Sequence, residues 1–190
     1  MRIIGIDPGS IVTGIGIIEC KQGNIRLIEY DSIKLNSKDH LIVRLKHIYD
    51  KCLEKIKKYK PDEFAIETAF YGKNIQSTLK LGQARGVAII AAANSNLNIS
   101  EYSPREVKKS VTGSGASSKQ NVSFMVKSIL SIKEDPLFFD STDALAVALC
   151  HYYFIDNALR TSSIKRKKHY SKKSDWKDFI EKNPGRLIKP

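Results

Sequence analysis

The sequence predicts an α/β fold in which helices flank a mixed sheet of five strands. Its 190 residues and 42% hydrophobic content suit one folded domain. Three β-rich segments, residues 2–6, 13–19 and 25–33, follow one another in hairpin order with Asp, Pro, Gly or Asn at the junctions. After them, helical and strand-like segments alternate, which is typical of layered α/β proteins.

The first helix is predicted over residues 39–59. Apolar side chains recur there at steps of three and four, namely at Ile42, Leu45, Tyr49, Cys52 and Ile56. Residues 64–67 form a short strand, and residues 75–94 resume helical character. Gly82 and Gly86 lower the helix propensity of that second helix, so we expect another backbone to approach closely along their face.

A fifth strand is predicted over residues 98–102. Directly after it, Ser103 is suited to be an N-cap and Pro104 to be the first helical residue. Glu106, three residues after the serine, completes a capping box. This combination predicts that a third helix begins here.

A flexible loop rich in Gly and Ser, residues 113–119, separates the last two helices from this one. Ser117 and Gln120 fit a second capping box, for a helix that continues through about Ile132. The final helix runs from about residue 140 to residue 154. Because it is apolar nearly all round, we expect it to be buried.

Positive charge dominates the composition. Thirty-two Lys and Arg against 20 Asp and Glu leave a formal net charge of +12, which favours a polyanionic partner such as nucleic acid. Residues 161–190 alone hold ten Lys and Arg against three Asp and Glu. We therefore expect a folded domain over residues 1–159 and a basic, poorly ordered tail over residues 160–190. The tail is either a nonspecific phosphate-binding arm or a solvated segment that aids solubility.

Several protein classes do not fit this chain. The longest apolar run, residues 86–93, is too short to cross a bilayer, and the N-terminus lacks the apolar stretch of a secretory signal. Cys20, Cys52 and Cys150 are odd in number and widely spaced, which predicts neither a disulfide framework nor a zinc site. These features predict a cytoplasmic protein.

Four carboxylates occupy positions where a carboxylate is locally costly. Asp7 and Glu67 close apolar strands, whereas Asp140 and Asp143 open an apolar helix. Residues three apart share one helical face, and parallel neighbouring strands would bring Asp7 and Glu67 to a common end of the sheet. Oxygen ligands favour Mg²⁺ or Mn²⁺. Two such ions can activate a water and stabilise the leaving oxygen of a phosphodiester cleavage.

Each acid also has an ordinary structural interpretation. Asp140 and Asp143 can be an N-cap and a third-position residue favoured by the helix dipole, and Asp7 can be a turn residue before Pro-Gly. Glu67 can pair with a basic group. Taken together in a strongly basic chain, the four acids favour metal-dependent nucleic-acid chemistry.

Basic and aromatic residues accompany the acids along the chain. Lys108 and Lys109 lie on the third helix, and Lys119 follows the Gly-Ser loop, so all three are candidates for phosphate contacts. A solvated helix face is an equally good interpretation of each lysine taken alone. The loop after Glu67 holds three further candidates for DNA contact, Phe70, Tyr71 and Lys73. Its rings can stack on an unpaired base or can simply cover the edge of the core.

With these residues in view, the chain resembles the RuvC family of Holliday junction resolvases. The resemblance is carried by six blocks in family order: GIDPGS with VTG at residues 5–14, FAIE with Phe70 at 64–70, KLGQARGVAI at 80–89, EVK at 106–108, G-x-G-x-x-x-K at 113–119 and D-x-x-DALA at 140–146. They span about residues 1–155. One block alone would be a weak signal, but the six together are highly specific.

The resemblance implies an RNase H-like fold, a homodimer and Mg²⁺-dependent paired nicks across a four-way DNA junction, leaving 5′-phosphate and 3′-hydroxyl ends. It places the acidic active site on the same four residues, Asp7, Glu67, Asp140 and Asp143. It also implies a junction-contacting aromatic at Phe70 and supporting lysines at Lys108 and Lys119. The branch-migration proteins RuvA and RuvB are the implied partners.

Two opposed cuts require two active sites related by a two-fold axis, which is a physical argument for a dimer. The helix that holds Gly82 and Gly86 is the candidate interface, although the same glycines could pack against the sheet of their own chain. Two other functions stay open at this point. One is a noncatalytic DNA-binding module, and the other is a phosphotransferase of the actin and sugar-kinase type, for which the chain lacks a second lobe.

Overall fold

The predicted fold class is confirmed by a computed structural model, which describes residues 1–68, 74–133 and 139–168. Five strands form one sheet in the order β3-β2-β1-β4-β5. Their bounds are β1 Arg2–Asp7, β2 Val12–Lys21, β3 Asn24–Lys34, β4 Glu63–Glu67 and β5 Asn98–Tyr102. The helices are α1 Leu41–Tyr59, α2 Ile75–Ala93, α3 Pro104–Thr112, α4 Lys119–Leu130 and α5 Phe139–Lys168.

The chain divides into two compact units, Met1–Phe154 and Ile155–Pro190. Every contact discussed below lies within the first unit. Among the helices that the structure describes, none is long and apolar enough to span a membrane.

The sheet is mixed, as the order of its elements predicts. β1, β2 and β3 pair antiparallel, whereas β4 pairs parallel to both β1 and β5. Ile6 of β1 lies opposite Ile66 of β4. The next residues, Asp7 and Glu67, therefore reach the same end of the sheet on neighbouring strands. The predicted convergence of these two strands is confirmed.

Alternating side chains along the strands build one apolar cluster on each side of the sheet. Ile3, Ile18 and Ala65 pack with α3, α4 and α5 on one side. On the other side, Ile4 and Phe64 pack with α1 and α2. The predicted burial of the last helix is confirmed for residues 144–150, which are all buried, but Phe154 at its predicted end is 65% exposed.

Three details of the helices differ from the expectations. Ile42 of α1 is 69% exposed, and the inward face of α1 contains Ile48, Cys52 and Ile56 instead. α4 is capped by Ser118, whose side chain accepts a hydrogen bond from the N–H of Asn121, and not by Ser117. The hydroxyl of Ser117 is bonded to that of Thr112 at 2.8 Å. The capping box at Ser103 and Glu106 is confirmed.

α5 continues to Lys168, past the predicted end at Phe154. The prediction stopped where the apolar run stops, but a helix does not require an apolar face to continue, and Ala158, Leu159 and Arg160 are good helix formers. The boundary between the domain over residues 1–159 and the tail over residues 160–190 stays a prediction, and residues 169–190 lie outside those described.

Three glycines let the backbone of α5 lie directly on the sheet. A Cβ at Gly5 would collide with the carbonyl oxygen of Ala144, and a Cβ at Gly14 would collide with that of Asp140. A Cβ at Gly16 would lie 2.7 Å from the backbone nitrogen of Leu145, which is too close for real atoms. Gly14 is also the β2 partner of Asp7. The glycine seat, defined as Gly5, Gly14 and Gly16, thus places the start of α5 above the end of β1.

Candidate active site

A cavity of about 160 Å³ opens where the ends of β1 and β4 meet the start of α5. Three of the four predicted acids line it, together with two of the predicted lysines and an apolar wall: Asp7, Glu67, Asp143, Lys108, Lys119, Pro104, Val107 and Val122. Each side chain comes from a different position in the chain, and the sheet, the glycine seat and the helix starts bring them together.

The acids in this cavity are poorly compensated. Burial raises the pKa of Asp7 to about 8, and the charges of Glu67 and Asp143 add to the rise. Burial likewise raises the pKa of Glu67 to about 7, with a further contribution from Asp143. Lys119 opposes both shifts without cancelling them. A desolvated group of like charges favours a cation or bound protons.

Lys119 forms an ion pair with one of these acids. Its Nζ donates a hydrogen bond to Oδ2 of Asp143 at 3.0 Å. The side chain of Lys119 is 65% exposed, whereas that of Asp143 is 14% exposed. Burial raises the pKa of Asp143 even though the charge of Lys119 lowers it. Lys119 therefore lies at the mouth of the cavity, and Asp143 lies inside it.

The remaining predicted residues divide into three cases. Asp140 lies in the first turn of α5 and raises the pKa of both Asp7 and Asp143, although it does not line the cavity. Lys109 lies on the exposed side of α3 and is not part of the cavity wall. Phe70, Tyr71 and Lys73 lie outside the described residues.

The donor chemistry of this site fits a hard divalent cation, since carboxylate oxygens are the available ligands. In residues 1–68, 74–133 and 139–168, no three His, Cys, Asp or Glu side chains are close enough to form a ready metal site. The ion pair with Lys119 holds one of the acids, Asp143. Binding of a cation by three of these side chains would therefore require the carboxylates to move closer together.

The turn that follows Asp7 is held by two residues that the sequence analysis missed. Nη1 of Arg44, a buried residue of α1, donates to the carbonyl oxygen of Ser10 at 2.6 Å. The hydroxyl of Thr13 donates a hydrogen bond to the carbonyl oxygen of Gly9 at 2.8 Å. The same hydroxyl oxygen accepts a hydrogen bond from the N–H of Gly9 at 3.2 Å. A single Arg on an amphipathic helix gives no sequence signal for such a contact.

Comparison with known proteins shows which family has this arrangement. The family model described as crossover junction endodeoxyribonuclease RuvC matches residues 3–151, which include all four acids. The chain belongs to the RuvC family. A RuvC of Chloroherpeton thalassium is 46% identical over 189 residues and covers 100% of both chains. One of Salinibacter ruber is 43% identical over 98% of this chain and 99% of its own.

Solved RuvC structures agree with the fold. The Thermus thermophilus RuvC structure matches with a TM-score of 0.75 and 30% identity, covering 83% of this chain and 97% of its own. The structure of T. thermophilus RuvC in complex with Holliday junction substrate matches with a TM-score of 0.77 and 31% identity, covering 82% and 94%. The yeast mitochondrial resolvase Ydc2, at 13% identity and a TM-score of 0.55, shares the fold.

Proposed function

We propose that this protein is a metal-dependent endodeoxyribonuclease that resolves four-way DNA junctions by paired symmetric nicks. Hydrolysis leaves 5′-phosphate and 3′-hydroxyl ends. The observation that supports this most is the single cavity in which Asp7, Glu67 and Asp143 meet two lysines, in a chain of the RuvC family. A relative with 31% identity is known in complex with Holliday junction substrate.

Asp7, Glu67, Asp140 and Asp143 would hold two Mg²⁺ ions per active site, with Mn²⁺ as a possible substitute. Bound there, the ions would supply an activated water and charge stabilisation for the leaving oxygen. The chain itself provides oxygen ligands whose pKa values are raised by burial. Asp7 and Glu67 therefore lose protons as they become ligands, because only the carboxylate form binds a cation well.

Lys119 and Lys108 are proposed to act on the phosphates of the substrate. Lys119 is exposed enough to turn from Asp143 toward a phosphate, which would free Asp143 as a ligand. Lys108 lies in the cavity wall on α3 and would neutralise the charge of the same phosphate. Lys109 and Lys73 are proposed contacts to the DNA backbone, and Phe70 and Tyr71 are proposed to stack on bases at the junction.

The active unit is proposed to be a homodimer with α2 at its interface. The glycine face of α2 is not covered within the described chain, because a Cβ built at Gly82 or Gly86 meets no described atom within 4 Å. On the same helix, Leu79 is 63% exposed and Ile90 is 52% exposed. A second copy would bury this face and supply the second active site. The proposed partners are RuvA and RuvB. The proposed location is the cytoplasm.

One assay tests the proposal directly. A synthetic four-way junction and a linear duplex of the same sequence are incubated with the protein, with Mg²⁺ or with a chelator, and the nicks are mapped. We expect two symmetric nicks, confined to the junction and dependent on Mg²⁺. Junction binding without a Mg²⁺-dependent product would favour a noncatalytic DNA-binding module and would refute the nuclease assignment.

A further inference from the structure

A buried polar chain runs beneath α5 beside the active site, and none of its members lines the cavity. The hydroxyl of Tyr102, at the end of β5, lies 2.7 Å from Nδ1 of His151 on α5. Nε2 of His151 lies 3.5 Å from Oε2 of Glu63, at the start of β4. His151 is 3% exposed and Tyr102 is 7% exposed.

Charge selects one arrangement of protons in this chain. An imidazole that placed the lone pair of Nε2 against the Glu63 carboxylate would be repelled, so Nε2 carries the proton and faces Glu63. Nδ1 is then the acceptor, and the Tyr102 hydroxyl is the donor. Burial lowers the pKa of His151, and the charge of Glu63 opposes this effect only in part. The lowered pKa keeps the ring neutral near pH 7.

Tyr102 connects this chain to the elements that form the cavity. In the sheet register, Tyr102 lies opposite Glu67, and its carbonyl accepts a hydrogen bond from the N–H of Thr68 at 2.8 Å. The next residue, Ser103, caps α3, on which Lys108 lies. His151 is two turns after Asp143 on α5. The Tyr102–His151 bond therefore joins the end of the Glu67 strand and the start of α3 to the helix of Asp143.

We propose that Tyr102 and His151 are positioning residues for the nuclease reaction: their hydrogen bond sets α5, and hence Asp143, at the correct distance from Glu67 and Lys108. The inference rests on the proposed function, since it assigns these residues a role at the same site. Neither residue touches the reacting atoms. They act through the spacing of the groups that do, and small displacements of such groups are costly in rate.

Three substitutions separate the hydrogen bond from packing. Tyr102→Phe removes the hydroxyl and keeps the ring. His151→Leu keeps much of the volume and removes both polar contacts, whereas His151→Asn retains an amide that can accept from Tyr102. Tyr153→Phe, a loss of a hydroxyl from a half-buried tyrosine of the same helix, is the matched control. Nicking is measured in single turnover with protein in excess over junction, and is normalised to the junction-binding sites found by titration.

We expect Tyr102→Phe and His151→Leu each to lower the nicking rate about tenfold or more, with junction affinity unchanged. The double variant should lose no more than the larger single loss, because both changes break one bond. His151→Asn should restore part of the rate when Tyr102 is present and none when Phe replaces it. Tyr153→Phe should nick as the parent does. Losses no larger than that of the control, or additive losses in the double variant, would overturn the proposal.

A readout independent of nicking keeps the two proposals distinguishable. Long-range ¹H–¹⁵N correlation spectra of the imidazoles, assigned for His151 by the His151→Asn variant, should show Nε2 protonated and Nδ1 unprotonated at pH 7. Tyr102→Phe should shift the Nδ1 resonance. Protonated Nδ1 would refute the assigned direction of the bond, and an Nδ1 resonance that Tyr102→Phe leaves unchanged would refute the positioning bond itself, even in an active enzyme. A parent that shows the expected tautomer but never nicks a junction would refute the nuclease function instead. If His151→Leu fails to fold, Tyr102→Phe still tests the bond.

Discussion

Two clusters of lysines and carboxylates in this molecule have similar members and opposite electrostatics. The structural cluster joins β3 to α1: Lys55, which is 7% exposed, pairs with Asp31 at 2.8 Å and also with Glu29. The active-site cluster joins Asp7, Glu67 and Asp143 to Lys119. Burial is the largest influence on the pKa of Asp31 and would raise it, but the hydrogen bonds from Lys55 and from the N–H of Ser32, together with the charge of Lys55, hold that pKa below its ordinary value. The pKa values of Asp7 and Glu67 are instead raised, to about 8 and about 7.

The difference lies in the balance and the placement of charge. In the structural cluster a buried lysine faces two carboxylates, and Lys58 adds a second positive charge 3.6 Å from Glu29. In the active-site cluster the acids are partly buried, whereas the lysine is largely exposed. In the structural cluster each carboxylate has a lysine partner, so removal of a lysine would leave unpaired charge and destabilise the fold, whereas the uncompensated acids of the active-site cluster favour binding of a cation. Paired substitutions in the two clusters can test this contrast.

The largest difference is expected from the matched substitutions Asp7→Asn and Asp31→Asn. Asp7→Asn should reduce Mg²⁺-dependent nicking by roughly a thousandfold or more, since a ligand is removed from the reacting centre. It should leave junction binding intact or stronger, because it removes negative charge facing phosphates. Asp31→Asn should nick as the parent does. Gel shift and cleavage on the same junction measure both properties, and joint loss of binding and nicking in Asp7→Asn would contradict this division.

Exchanging the two lysines should separate activity from stability. Lys119→Met should lower nicking about a hundredfold, as expected for loss of a charge that stabilises the transition state. Its unfolding free energy should change by less than about 1 kcal/mol, because the ion pair is at the mouth of the cavity. Lys55→Met should leave nicking unchanged. It should lower the unfolding free energy by about 1–3 kcal/mol, because Glu29 and Asp31 lose their buried partner. Urea unfolding measures the stability of each variant, and nicking is measured per folded molecule. A loss of stability in Lys119→Met but not in Lys55→Met would contradict the assignment.

The two clusters should also respond to pH with opposite sign in the metal-free protein. Because the pKa of folded Asp7 is raised from 3.8 to about 8, its contribution to stability is complete below pH 3.8 and is lost as the pH rises toward 8. Asp31, whose pKa is lowered, contributes above its ordinary pKa and loses that contribution in acid. In the presence of a chelator, Asp7→Asn should therefore be more stable than the parent at pH 8 and lose this advantage toward pH 4. Urea midpoints across that range test the sign, and an advantage that grows in acid would contradict it.

The smallest effect is expected at Lys58, which belongs to the structural cluster but is 61% exposed. Lys58→Gln should change the unfolding free energy by less than about 0.5 kcal/mol and leave nicking unchanged, because an exposed pair gains little in water. A cost comparable to that of Lys55→Met would show that exposure does not decide the strength of these pairs. The same urea titrations measure it.

Much of this architecture could be predicted from local patterns. Strand ends at Asp7 and Glu67 follow from short apolar runs that stop at a carboxylate, and the Ser103 capping box follows from residue types at fixed spacing. Exposure of Ile42 could not be predicted, because periodicity marks an apolar face and does not say whether a neighbouring element covers it. The choice of Ser118 over Ser117 depends on the path of the preceding loop.

Contacts between distant parts of the chain were the least predictable part of the site. The Tyr102–His151 bond joins residues 49 apart, and neither residue stands in a motif that indicates the other. The Lys119–Asp143 ion pair spans 24 residues, and its partners were each found singly as candidates. Spacing rules describe one helix or one strand, whereas such pairs are decided by how several elements pack.

The glycine seat has a consequence for protein engineering. At these three glycines the start of α5 approaches β1 and β2 closely enough for backbone to meet backbone, so the gap between Asp7 of β1 and the acids of the helix depends on the absence of side chains there. A transplant of the four acids into another scaffold would therefore fail unless Gly5, Gly14 and Gly16 went with them. In this protein three of the smallest residues set the approach of helix and strands along one edge of the pocket, and charged residues line the space beside that edge.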